Sequence, residues 1–233
     1  MPLRTKGLRR SLIFDPPDIG CVLRMSGRPQ GGPVIFDDSP YGNHGTIVGA
    51  TPVRLPSGLW GLGFDGDDYV DCGAFTQGKF TSENFSIGMW IYPLALVGDK
   101  GFITHGADAA SGYYYRMQFA DASRLEFVTC QAGATQVNYS AVNTLVLNTW
   151  KRYWVVRSGA NLLFYANAVN VTASAVAIVD PVAATTNLLI GCYTVGVAHA
   201  NFRKALLDIR LNKALSAAEI ADDFAKTKHL FNV

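Results

Sequence analysis

Glutamate is scarce in this chain: Glu83, Glu126 and Glu219 are the only three in 233 residues. A two-carboxylate hydrolytic site needs a pair of acids held on one cleft face, and these three fall on separate predicted elements. Zinc-type spacing is also missing. Cys21, Cys72, Cys130 and Cys192 are at least 51 residues apart, with no C-x-x-C pair and no histidine at ligand spacing. Four small buried thiols are therefore expected, rather than a metal centre or disulfides. No apolar run is long enough to span a bilayer; the nearest, "VTASAVAIVDPVAATT", is broken by Asp180 and Pro181. Residues 1–20 contain no apolar stretch of the kind that follows the charged part of an export signal, so synthesis in the cytoplasm is expected. A phosphate-cradling glycine loop and a Gly-x-Ser-x-Gly elbow are absent, and His44, His105, His199 and His229 stand outside any nucleophile motif.

Charge is low as well, at 16% of residues, while hydrophobic residues reach 49%. That ratio supplies a large core and excludes disorder. Twelve short segments rich in β-branched and aromatic residues recur between Gly, Asn, Asp and Ser clusters: "CVLRM", "GLGFDG", "DYVDC", "FSIGMWIYP", "GFITHG", "GYYYRMQFA", "RLEFVTC", "QVNYSAV", "RYWVVRSG", "NLLFYAN", "NLLIGCYTV" and "KALLDIRLN". This spacing predicts an all-β antiparallel sandwich. One helix is predicted near the C-terminus, where Ser216 and Glu219 form a capping box and Ile220 and Phe224 share a face to pack on the sandwich edge. Trp90, Trp150 and Trp154 are expected in the core. Asp65, Asp67, Asp68 and Asp71 lie within seven residues. The first three, with Gly66, read as a hairpin turn and Asp71 as a solvent-facing strand residue.

The first 19 residues read as a separate basic arm, with Arg4, Lys6, Arg9 and Arg10 among apolar anchors Leu8, Leu12, Ile13 and Phe14. Residues 20–233 read as one domain.

Four segments resemble the concanavalin A-like, laminin-G-like (LamG) jelly roll. They are "DDSPYGNHGTIVG", "GLWGLGFDGDDYVDCG", the pair "FSIGMWIYP" with "NTWKRYWVVRSGANLLFYAN", and "LLDIRLNKALSAAEIADDF", in the family's order from about residue 20 to 228. The resemblance implies a two-sheet jelly roll. Asn167-Ala168 and Ala205 depart from the family's usual glycine-containing positions. A structural calcium occurs in some members; here it maps onto Asp208 with Asp38 and Asn43, the alternative being that Asp208 pairs with Arg210. No other cofactor is implied. Glycosidases share the fold, but the Glu-x-Asp-x-x-Glu strand of one branch is absent, which leaves hydrolysis a remote alternative.

Binding is the function class this points to. Tyr113, Tyr114, Tyr115, Arg116, Gln118 and Asn138 are the candidate carbohydrate surface, with alternation exposing either the middle tyrosine or the outer two. The leading expectation is a non-catalytic decoration or adhesion component of a larger particle, a phage or virus virion, tethered through the arm to other subunits and forming an oligomer. The alternative is a free-standing glycan-binding lectin. Neither membrane insertion nor nucleic acid binding is expected.

Overall fold

Period-2 alternation of apolar residues builds sixteen strands among the described residues of this computed structural model, which are 19–27, 31–96, 100–107, 110–117, 123–173, 177–193, 201–211 and 213–233. In chain order they are β1 (Cys21–Ser26), β2 (Val34–Ile35), β3 (Gly45–Val48), β4 (Thr51–Arg54), β5 (Trp60–Asp65), β6 (Tyr69–Asp71), β7 (Phe85–Pro93) and β8 (Lys100–Ala107). Then follow β9 (Ser111–Met117), β10 (Leu125–Gln131), β11 (Ala134–Tyr139), β12 (Lys151–Ser158), β13 (Asn161–Ala166), β14 (Val169–Asn170), β15 (Leu188–Ile190) and β16 (Asn201–Leu211). All twelve expected segments contribute a strand; β2, β3, β4 and β14 are additional.

The strands form two antiparallel sheets. Sheet A runs β14-β13-β12-β7-β16-β5-β4, with β1 also paired to β16. Sheet B runs β11-β10-β9-β8-β15-β6-β3-β2. On one edge β16 pairs along its length with β7; on the other it meets β5 through Asn201–Lys204 and β1 through Leu206–Arg210. Its register against β7 slips between Lys204 and Leu207, where Ala205 sits.

Between the sheets lies an aromatic stack. Phe80 packs on Phe85 at 4.1 Å and on Tyr113 at 4.2 Å, and Phe85 and Tyr113 each reach Phe127. Each such ring, withdrawn from water, contributes about 2–3 kcal/mol. All four cysteines are buried, as expected.

Both sheets are also covered on their outer faces. The helix α1 (Ala217–Thr227) opens on Ser216 with the expected capping box, the Ser216 side chain accepting from Glu219 N–H and Glu219 accepting from Ser216 N–H. It does not pack on the sandwich edge. Ile220 packs against Trp154, Val156 and Tyr165, so the helix lies over the outer face of sheet A. Trp90 and Trp154 are fully buried there, under α1 and the following 3-10 turn at Lys228–Phe231, and not between the sheets. Trp90 stacks on Phe231 at 4.0 Å, and the half-buried Trp150 packs beside them. On sheet B, Val128 and Cys130 are fully buried and pack with Val137 and Tyr193.

The Asp65–Asp68 turn is likewise not a hairpin. β5 belongs to sheet A and β6 to sheet B, so this turn carries the chain from one sheet to the other. Asp68, buried, accepts Asp65 N–H at 2.9 Å and closes it.

Candidate carbohydrate-binding face

Cross-strand register sorts the β9–β11 part of sheet B into rows. Arg116 of β9, Glu126 of β10 and Tyr139 of β11 form one row; Tyr114, Val128 and Val137 form the next. Glu126 and Val128 alternate with Leu125 and Phe127, which fill the interior, so Glu126, Val128 and their β11 partners Tyr139 and Val137 belong to the outer face. Arg124 places its guanidinium 4.1 Å from the centre of the Tyr139 ring. Both side chains are half-buried, while Glu126 is only 2% exposed. The half-buried Arg124 guanidinium and Tyr139 ring place donors and a ring edge together, groups that can hydrogen-bond and pack on a sugar.

Two predicted members do not belong to this surface. Tyr113 points inward: it is 1% exposed, stacks in the interior, and meets His105 edge-on at 5.7 Å. Burial pushes its hydroxyl pKa far up. Asn138 is 2% exposed and sits opposite Phe127 on the inner face, with no hydrogen-bond partner for either side-chain polar atom. Tyr115 shares the Phe127 register and Tyr114 the Val128 register. Gln118 lies outside the described residues, as do the arm residues Arg4, Lys6, Leu8, Arg9, Arg10, Leu12, Ile13 and Phe14.

Sequence reasoning did not single out Tyr139 or Arg124.

Of the residues mapped for calcium, Asp208 already has partners. Asp208, 1% exposed, accepts from Arg210 Nη2 at 3.0 Å and from the Cys21 thiol at 3.6 Å. Burial and the adjacent Asp208 push the Cys21 thiol up to about 12. Asn43 donates its amide to Val22 O at 2.9 Å, and Asp38 N–H donates to Arg24 O at 2.8 Å. Elsewhere, the carboxylates of Asp65, Asp67 and Asp68 lie within 4.8 Å of one another, as the turn requires. Asp71 accepts Gly73 N–H at 2.8 Å and the Asn187 amide at 3.0 Å.

The three glutamates are apart. Glu126 lies on the outer face of sheet B, and Glu219 is in the capping box over sheet A. Glu83 accepts Thr81 N–H at 2.7 Å.

Residues 64–221 match a laminin-G model of the concanavalin A-like lectin/glucanases superfamily, and the chain belongs to that family. A comparison with curated proteins finds no match. Among solved structures, the chain is similar to the binding domain of Paraclostridial Mosquitocidal Protein 1, with a TM-score of 0.70 and 12% identity over 88% of this chain and 52% of that one. It also resembles the binding domain of botulinum neurotoxin serotype G, with a TM-score of 0.67 and 14% identity over 88% and 50%. A third is the binding domain of botulinum neurotoxin DC in complex with SialylT, with a TM-score of 0.66 and 15% identity over 89% and 52%. The chain thus spans about half the length of each, and at these identities the likeness concerns the fold. Among the described residues no helix is long and apolar enough to cross a membrane.

Proposed function

We propose that this chain is a non-catalytic, lectin-like module that recognises glycans at the part of sheet B where the half-buried Arg124 and Tyr139 meet. The observation that carries this reading is the half-buried Arg124–Tyr139 stack. Membership of a lectin and glucanase superfamily supports the glycan class, and the toxin domain in complex with SialylT supplies a structural precedent. Against hydrolysis stands the placement of the acids: the sandwich separates Glu126 from Glu219, whereas a glycosidase holds its two carboxylates about 5–9.5 Å apart.

The test is a glycan array with calcium supplied. The wild-type protein is expected to bind, and Tyr139→Ser to weaken binding at least about tenfold while its melting temperature stays close to wild type. A blank array sinks the proposal.

A second reading keeps the same module as a decoration or adhesion component of a larger particle, a virion, docked through residues 1–19. It rests on the four basic side chains and the apolar anchors of that segment. Light scattering on the full chain and on a form starting at Gly20 tests the self-assembling version. Equal masses for the two exclude arm-driven oligomerisation.

A further inference from the structure

The connection between β2 and β3 carries three rings within nine residues, Phe36, Tyr41 and His44, and all three are exposed. Phe36 retains 39% of its accessible surface and Tyr41 53%. Water contact of this kind disfavours apolar rings, so two exposed ones on a single short loop suggest a contact surface.

The loop that displays them is rigid. The buried Asp37 carboxylate accepts the N–H groups of Arg24 at 2.8 Å, Ser39 at 2.9 Å and Asn43 at 2.8 Å, and the Ser39 hydroxyl at 2.6 Å. Together with the Asn43 amide on Val22 O, these bonds pin the loop to β1. A preorganised loop loses little entropy when a ligand arrives.

The histidine is oriented too. Asp37 N–H donates to His44 Nδ1 at 3.0 Å, so in the neutral ring the proton resides on Nε2. Phe36 lies against the same ring, with centroids 4.7 Å apart and planes tilted by 52°. The exposed surface therefore combines ring faces, which are negative at the centre and attract polarised C–H groups, with one fixed donor.

We infer that this loop is a second glycan contact, in which Phe36 and Tyr41 offer their rings to the C–H face of a pyranose and His44 donates Nε2–H to one of its hydroxyls. The inference rests on the glycan-binding reading and adds a site separate from Tyr139.

Aromatic NMR of the full-length protein tests it, titrating in methyl β-galactopyranoside, methyl α-mannopyranoside and methyl N-acetyl-β-glucosaminide in turn. Saturable shifts at Phe36, Tyr41 and His44 are expected with at least one of them. Phe36→Ser and Tyr41→Ser are each expected to weaken that response at least about fivefold, with an unchanged amide spectrum elsewhere. Shifts confined to Tyr139, or full binding by Phe36→Ser, overturn the loop site and leave the sheet-face proposal standing. No saturable shift anywhere overturns both.

Discussion

Arg152 Nε donates to Asp223 Oδ2 at 2.8 Å beneath α1, joining a strand in the middle of sheet A to the C-terminal helix. Arg152 is fully buried, and the same carboxylate oxygen also accepts from Trp154 Nε1 at 3.1 Å. The guanidinium in turn lies 4.4 Å from the centre of the Trp154 ring. Removing the acid leaves a buried cation without its counter-ion, so Asp223→Ala is expected to cost about 3–5 kcal/mol in urea denaturation. A loss below about 1 kcal/mol would show that the helix does not depend on this pair.

Gly88 sits directly beneath Trp154. A Cβ built there approaches the indole to 2.5 Å, so neither the ring nor the strand has room for a methyl group. Gly88→Ala is expected to destabilise by about 1–3 kcal/mol, read as a lower urea midpoint at unchanged slope.

Asn138 gives the opposite sign. Its buried amide has no hydrogen-bond partner, so an apolar side chain of similar size removes a desolvation cost without losing a bond. Asn138→Leu is expected to raise stability by about 1–2 kcal/mol. A destabilised variant would refute this account of the site.

The pH dependence has two separate windows. Burial is the main cause that lowers His105 from 6.5 to about 4, so the folded state prefers the neutral ring. Stability from this residue is full above the unfolded value and falls as pH drops from 6.5 towards 4, because the unfolded chain takes up the proton first. His105→Asn is expected to flatten the decline between about pH 7 and about pH 5.

Glu219 acts lower on the scale. Lys213 and the Ser216 N–H, in that order, hold its carboxyl down from 4.5 to about 2. Its contribution is present above 4.5 and disappears as pH falls through 2. Melting curves of wild type and Glu219→Gln are expected to converge across that window; a constant gap would contradict the assignment.

Much of the sandwich was readable in the sequence because period-2 segments and turn residues are local signals. The capping box at Ser216 was readable for the same reason. Short strands such as Val34–Ile35 and Val169–Asn170 carry too few residues to show a period, and Pro52 disguises β4. The Asp65–Asp68 turn has hairpin chemistry, yet turn chemistry does not encode which sheet the next strand joins. Tyr113 and Asn138 were misplaced because sheet B is covered on both faces. Val128 is as buried as Phe127, so the polar alternation that would mark an outside is missing. The Tyr139–Arg124 stack depends on register and side-chain direction across two strands, which the sequence does not display.

The seating of β16 between β7 on one side and β5 and β1 on the other has a kinetic consequence. Until residues 201–211 are available, the middle of sheet A is a slot with three unpaired strand edges around it. During synthesis from the N-terminus these edges wait for nearly the whole chain, exposed to pairing with other nascent copies. Closing the slot joins Leu23 to Ile209, a loop of most of the molecule, so folding is governed by a late, long-range event. Soluble yield should therefore respond more to synthesis rate and temperature than the finished protein's stability alone would suggest.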